Sequence, residues 1–262
     1  DVKEIYSFRD AFAVIKKDGS AFGWSDNFGN SIITEPVKSI HSDGRNIIIY
    51  ELEDGTFEIH SSQGQYKGEF KYIDKSDPFN TIFLDVTIEK IFSSEDGVYL
   101  SSNEGFIFSP DFNFDDPFTI EKFNVYGGSQ ENKVKDVYFT QRESVALLED
   151  GSVIPLLERY GVPLLTPSEA EALTTDNYSE EDLKEIKALA EFTSSGVRKI
   201  FTNANYFAAV KEDGSSMVWG RYSEGKGGDL REIPEDLQNV VSFASPLANF
   251  ESHSADQIIS DN

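Results

Sequence analysis

The sequence predicts an all-β chain built from stacked copies of one short unit, and three observations predict it. A V-x-x-I-like opening recurs at Val2-Ile5, Val37-Ile40, Ile88-Ile91, Val134-Val137, Val197-Ile200 and Val240-Phe243. A turn dipeptide ending in glycine follows five of them, at Asp18-Gly19, Asp54-Gly55, Glu104-Gly105, Asp150-Gly151 and Asp213-Gly214. The distance from opening to turn is constant: 16 positions in four copies and 17 in the second. The sixth copy keeps Asp256 at offset 16 but has Gln257 in place of glycine. Units of this size cannot bury a core alone and must stack, as in a solenoid or a propeller.

The clearest copy is Val197 to Gly220, VRKIFTNANYFAAVKEDGSSMVWG. It reads as two strands joined by a two-residue hairpin at Asp213-Gly214, where Asp and Gly tolerate positive φ, and then a third strand. Within it Tyr206 to Val210, Asp213-Gly214-Ser215 and Val218-Trp219-Gly220 resemble repeats of the regulator of chromosome condensation type, as do Gly227-Gly228, Ile233-Pro234 and Leu237 after it. The first copy shows the same features in Ala11 to Val14, Asp18-Gly19-Ser20 and Trp24, whereas copies two to four lack the Trp and the paired Gly. The resemblance implies a β-propeller-like array of five to six four-stranded blades, seven being the usual number. The chain is then one repeat domain spanning 1–262, with blades near 2–36, 37–87, 88–133, 134–196, 197–239 and a partial one at 240–262.

In the first copy Ile5, Phe12, Val14 and Phe22 alternate as the inner face of a strand pair would. In the second the apolar run Ile47-Ile48-Ile49-Tyr50 is followed by Phe57-Glu58-Ile59-His60, whose alternation points His60 with Glu58 towards solvent. His41 and His253 stand isolated in the sequence. The third copy ends in an aromatic tract (Phe106, Phe108, Phe112, Phe114, Phe118) that Pro110 and Pro117 restrict to edges and turns. The fourth departs from strand pattern over 158–196, a helical insertion. Thr166-Pro167-Ser168-Glu169 and Ser179-Glu180-Glu181-Asp182 are helix starts, and Leu183, Ile186, Leu189 and Ala190 form an apolar stripe. The fixed spacing resumes at Val197, so the insertion reads as separable from the array.

The balance of 23 basic against 47 acidic residues, a net charge of −24, opposes binding to nucleic acid or anionic membrane and suits a basic protein partner. No stretch is long and apolar enough to insert in a bilayer. There is no cysteine, hence no disulfide or thiolate site. The chain begins at Asp1 rather than Met, which reads as a mature or excised form, and a secreted or cell-surface bacterial module is favoured over a cytoplasmic protein.

No catalytic residues or cofactor are predicted. Gly220 to Gly227 matches G-x-x-x-x-G-K, but Gly227 stands where a phosphate loop needs Ser or Thr, and no helix start follows. The Asp-rich turns lack the spacing of a calcium loop, so Ca²⁺ has no supporting motif. The residues between each turn and the next opening number 17, 32, 28, 45 and 25. Variable loops on a constant scaffold are how binding faces are made. They predict one loop-rich face that binds a protein, with Trp24, Phe28, Tyr72, Phe112, Phe114, Tyr160, Tyr178, Arg221 and Tyr222 as candidate contacts. The alternative is an enzyme or glycan-binding module using an acidic propeller cleft.

Overall fold

The computed structural model describes residues 1–27, 29–44, 47–61, 64–69, 71–77, 80–94, 97–109, 119–121, 125–141, 143–157, 163–176, 178–203 and 205–220. They fall in two compact units, Asp1–Val125 and a second beginning at Tyr126. In the first unit, β1 (Val2–Ser7), β2 (Ala11–Lys16), β3 (Ala21–Ser25) and β4 (Gly29–Ile33) make one antiparallel meander. The next is made by β5 (Val37–Ser42), β6 (Ile47–Leu52), β7 (Phe57–Ser61) and β8 (Gly64–Gly68). A hairpin of β9 (Lys71–Asp77) and β10 (Asn80–Asp85) then precedes β11 (Ile88–Ser94), β12 (Gly97–Ser102) and β13 (Ile107–Phe108). Beyond them, β14 (Thr119–Glu121) pairs in parallel with β9, and β15 (Val125–Gly127) completes the third meander as β11-β12-β13-β15. The second unit holds β16 (Val134–Phe139), β17 (Ser144–Leu148) and β18 (Val153–Leu157), helices α1 (Pro167–Glu171) and α2 (Glu180–Thr193), then β19 (Val197–Thr202), β20 (Tyr206–Lys211) and β21 (Ser216–Gly220). The fold is an all-β array of propeller-type blades carrying one helical insertion.

Each sequence signature has a structural cause. In all five described copies the ladder shifts register just after the opening residue, at Val2/Glu4, Val37/Ser39, Ile88/Lys90, Val134/Asp136 and Val197/Lys199. This β-bulge adds one residue to the first strand. Two residues three apart would otherwise point to opposite faces; the bulge turns both to the same one. Hence the opening is V-x-x-I, and Val197 and Ile200 are buried in one cluster, as are Val37 and Ile40.

The turn is larger than the two-residue hairpin the sequence suggests. Lys16 donates to Ser20 O and Gly19 donates to Lys16 O, so three residues form the loop. The same pair of bonds closes the turns at Gly55, Gly105, Gly151 and Gly214, and all five glycines have φ between 80° and 89°. Glycine in the left-handed region of a three-residue loop keeps the strands in register. The residue after it is explained too. Oδ1 of Asp18, Asp54, Asp150 and Asp213 accepts from both the backbone N–H and the hydroxyl of Ser20, Thr56, Ser152 and Ser215 respectively. Those hydroxyl and amide donors hold Asp18, Asp54 and Asp213 below the usual carboxylate range. At Asp150 partial burial pulls upward, but the same donors prevail.

The sheets pack face to face. The opening pair and the alternate residues of the second strand look back at the preceding sheet. Val37, Ile40, Ile48 and Tyr50 pack on Ala11, Ala13, Ile15, Ala21 and Ile33. Ile91, Val98, Leu100 and Phe108 pack in turn on Ile47, Ile49, Phe57 and Ile59. In the second unit Val197, Ile200, Phe207, Ala209 and Trp219 pack on Val145, Leu147 and Val153. The close approach of the first two sheets requires Gly23, where an added Cβ would lie 2.2 Å from the buried Tyr50 hydroxyl.

One expectation fails here. Ile5 and Phe12 are exposed rather than inward, and Val14 and Phe22 only half-buried, because the side of the first sheet that meets the second is the other one. The helical insertion, read as separable, also shares a core with the sheets. Thr166 and Ser179 cap α1 and α2 with capping boxes, and Ala170, Ile186 and Ala190 form a small cluster of their own. But Leu164 and Leu189 belong to the core that holds Phe207 and Trp219.

Candidate functional site

The strand directions divide the variable residues between two ends of the sheets. Third strands run away from the Asp-Gly turns, and fourth strands, antiparallel to them, run back. A connection after a third strand therefore leaves from the end opposite the turns; one after a fourth strand leaves from the turn end. The extra hairpin β9–β10 follows β8, a fourth strand, and so starts at the turn end. The additional residues of the third and fourth copies follow the third strands β13 and β18 and start opposite the turns. The single loop-rich face expected from length variation is thus split by strand polarity.

Of the candidate contacts, Trp24, Tyr72 and Tyr178 are among the described residues. Trp24 lies near the end of β3, 38% exposed, its ring stacked on Phe12 at 5.6 Å and tilted against Phe22 at 5.6 Å. Phe28, Phe112, Phe114, Tyr160, Arg221 and Tyr222 lie outside the described residues; by position they follow third strands, Arg221 coming directly after Gly220 of β21. Tyr72 is on β9, in the hairpin that leaves from the turn end. Tyr178 packs half-buried against Ala170, Ile186 and Ala190 of the helical pair. Phe12, Phe22 and Ile32 lie around Trp24 by register, and Phe12 and Phe22 are among the residues that periodicity alone assigned to the interior. The counterparts of Phe12 and Trp24 in copy five, Phe207 and Trp219, stack at 5.4 Å and are buried, so a single copy's pattern carries no signal of the difference.

Among the described residues Ser39, His41 and Glu51 form a polar group of catalytic residue types, and its hydrogen bonds assign it a structural role. His41, buried, lies 2.8 Å from Ser39 Oγ, and Ser39 Oγ donates to Glu51 Oε2 at 2.6 Å. The single serine proton is committed to the carboxylate, so His41 Nε2 donates to the hydroxyl rather than abstracting from it. A nucleophile needs the reverse order, with the imidazole as acceptor and the acid behind it. Burial pushes the His41 imidazole down to about 4, against the opposing attraction of Glu51. Unfolding raises it to its ordinary value near 6.5. The unfolded chain therefore binds the extra proton as pH falls from 6.5, and stability is lost down to about pH 4. Denaturation midpoints across that window should fall by an amount equivalent to about 3 kcal/mol, and H41Q should flatten that part of the profile.

His60 is also buried, contrary to the solvent-facing alternation. Its Nε2 lies 2.8 Å from Glu58 Oε1, and its ring meets Tyr50 edge-on at 5.3 Å. The sheet is covered on both faces, so alternation there separates two neighbouring sheets rather than core from solvent. His253 lies outside the described residues. Among the described residues no three His, Asp or Glu side chains converge as a metal site, and no helix is long and apolar enough to cross a membrane.

No protein-family model matches the chain, and no curated protein does. Among solved structures it is similar to human WBSCR16, with 14% identity, a TM-score of 0.43, and coverage of 84% of this chain and 61% of that one. It is similar to Prp20p from Saccharomyces cerevisiae, whose structure is described with its binding properties to Gsp1p and histones (9% identity, TM-score 0.45, 84% of this chain and 58% of that one). A further similarity is to the yeast regulator of chromosome condensation bound to Kap60, with 12% identity, a TM-score of 0.46, and coverage of 89% and 59%. The chain spans less than two thirds of each of these. Its own turns, openings and Val218-Trp219-Gly220 segment resemble, in degenerate form, repeats of the regulator of chromosome condensation type.

Proposed function

We infer that the chain is a non-catalytic scaffold that binds a protein partner through the sheet ends opposite the Asp-Gly turns. The observation that carries this reading is the contrast between the two ends. At one end of its own sheet, each of the five turns repeats the same three-residue loop and the same closing bonds. Connections of unlike length follow the third strands, and in sequence the aromatic or basic residues Trp24, Phe28, Phe112, Phe114, Tyr160, Arg221 and Tyr222 belong to those strands or come after them. A constant frame with variable, aromatic-bearing loops suits recognition of a macromolecule. Short tethers to packed strands keep the ordering cost of binding low.

The charge of −24 favours a basic partner and supplies long-range steering. A secreted or cell-surface setting, where such a module would meet foreign proteins, is part of the same proposal. Affinity capture from the source organism, followed by binding measurements with the purified partner, tests the reading. The association rate should fall about tenfold or more between low and physiological salt, and alanine at Trp24 or Tyr222 should weaken binding. Substitutions at Ser20, Thr56 and Ser215, on the turn end, should leave affinity unchanged. The reverse pattern would place the contact at the turn end and refute the assignment.

A further inference from the structure

One broad face of the first sheet is exposed among the described residues. Val2 is 49% exposed, Ile5 70%, Phe12 44% and Ile32 68%, with Trp24 beside them. Register aligns Ile5, Val14, Phe22 and Ile32 in one row across all four strands and sets Phe12 beside Trp24 in the next. The outward positions of these strands carry no carboxylate, although the chain has 47 acidic residues. Exposed apolar area of this extent marks an interaction surface.

The rest of the fold shows what such a face does. Val197, Ile200, Phe207 and Trp219 occupy the same places in copy five, and there they are buried against the preceding sheet. The second and third sheets use their equivalent faces in the same way. The first sheet therefore presents a sheet-stacking surface, continuous with the stack of the first unit, on which no sheet of the described residues lies.

We propose that this face joins two copies of the chain, first sheet on first sheet about a two-fold axis. A two-fold contact brings each copy's apolar rows against an equally apolar, acid-free face, with aromatic rings able to interdigitate at the usual separation of packed sheets. The chain's own sixth copy is a poorer cover. At the places where copy one offers Ala11, Ala13 and Ile15 to its neighbour, it has Asn249, Glu251 and His253. Burying Glu251 against Trp24 and Phe12 would desolvate a carboxylate without a partner.

Sedimentation of the full chain over a micromolar concentration series tests the proposal, with tryptophan emission recorded in parallel. A dimer is expected, and dilution should shift Trp24 emission to the red while the buried Trp219 stays constant. Raising salt should tighten the dimer, because it screens repulsion between two chains of charge −24. I5K and W24Q, both at exposed positions, should weaken association about tenfold or more and keep the wild-type circular dichroism spectrum. F106K, exposed in the third copy, should leave association unchanged. A monomer at every concentration overturns the proposal; blue emission from Trp24 in that monomer would assign the face to residues 221–262. A dimer indifferent to I5K and W24Q overturns it as well.

Discussion

Alanine at Gly151 should lower stability by about 3 kcal/mol or more, whereas alanine at Gly55 should cost only about 1 kcal/mol. The two glycines occupy the same place in their repeats and have similar backbone angles, φ 80° and 87°. The cost of a side chain in the left-handed region is therefore common to both. The surroundings differ. A Cβ on Gly55 meets nothing within 4 Å, whereas on Gly151 it would lie 2.6 Å from the backbone nitrogen of Gly196 and 2.7 Å from that of Val197. Backbone cannot swing aside as a side chain can. Val197 moreover donates to Gly151 O at 2.9 Å, so relief of the clash breaks the bond that returns the chain from the helices to the array. Urea denaturation of the two variants measures the contrast, and equal losses would show that the turn alone sets the cost.

Leu189→Ala should destabilise the protein by about 2–5 kcal/mol, the range for a buried leucine whose cavity cannot collapse. Leu189 has no exposed surface and sits with Val145, Leu147, Phe207 and Trp219, so its loss is felt by both sheets of the second unit as well as by α2. Truncating Leu183, on the same helix but only half-buried, should cost less than half as much. Removal of the whole insertion should expose Phe207 and Trp219 and abolish a cooperative transition in the second unit. A full-amplitude transition after deletion would mean that the sheets hold this core without the helix.

The repeat was legible in the sequence because bulge and turn fix residue types by backbone geometry. Val197 and Ile200 must be three apart to share a face across the bulge, and Gly214 must be glycine to hold its φ of 82°. Helix starts were legible at Thr166 and Ser179 for the same local reason. Burial was not. Phe12 and Phe207 occupy identical repeat positions, yet only a neighbouring sheet decides which is solvated. His60 misled because alternation implies solvent only when one face is free. The β9–β10 hairpin, with its parallel partner β14, was missed because it lacks the opening, and pairing across the intervening 88–118 leaves no short-range pattern. Of the candidate site, the aromatic loop positions could be named from sequence, but strand polarity was needed to sort them by sheet end.

Recognition by the sheet ends opposite the repeated turns is the central claim. Hydrogen exchange on the full chain, with and without its captured partner, tests that point directly. Protection should appear at the connections after β3, β13, β18 and β21, with the amides of Gly19, Gly55, Gly105, Gly151 and Gly214 unchanged. Protection concentrated at those five glycines and absent from the opposite connections would contradict it.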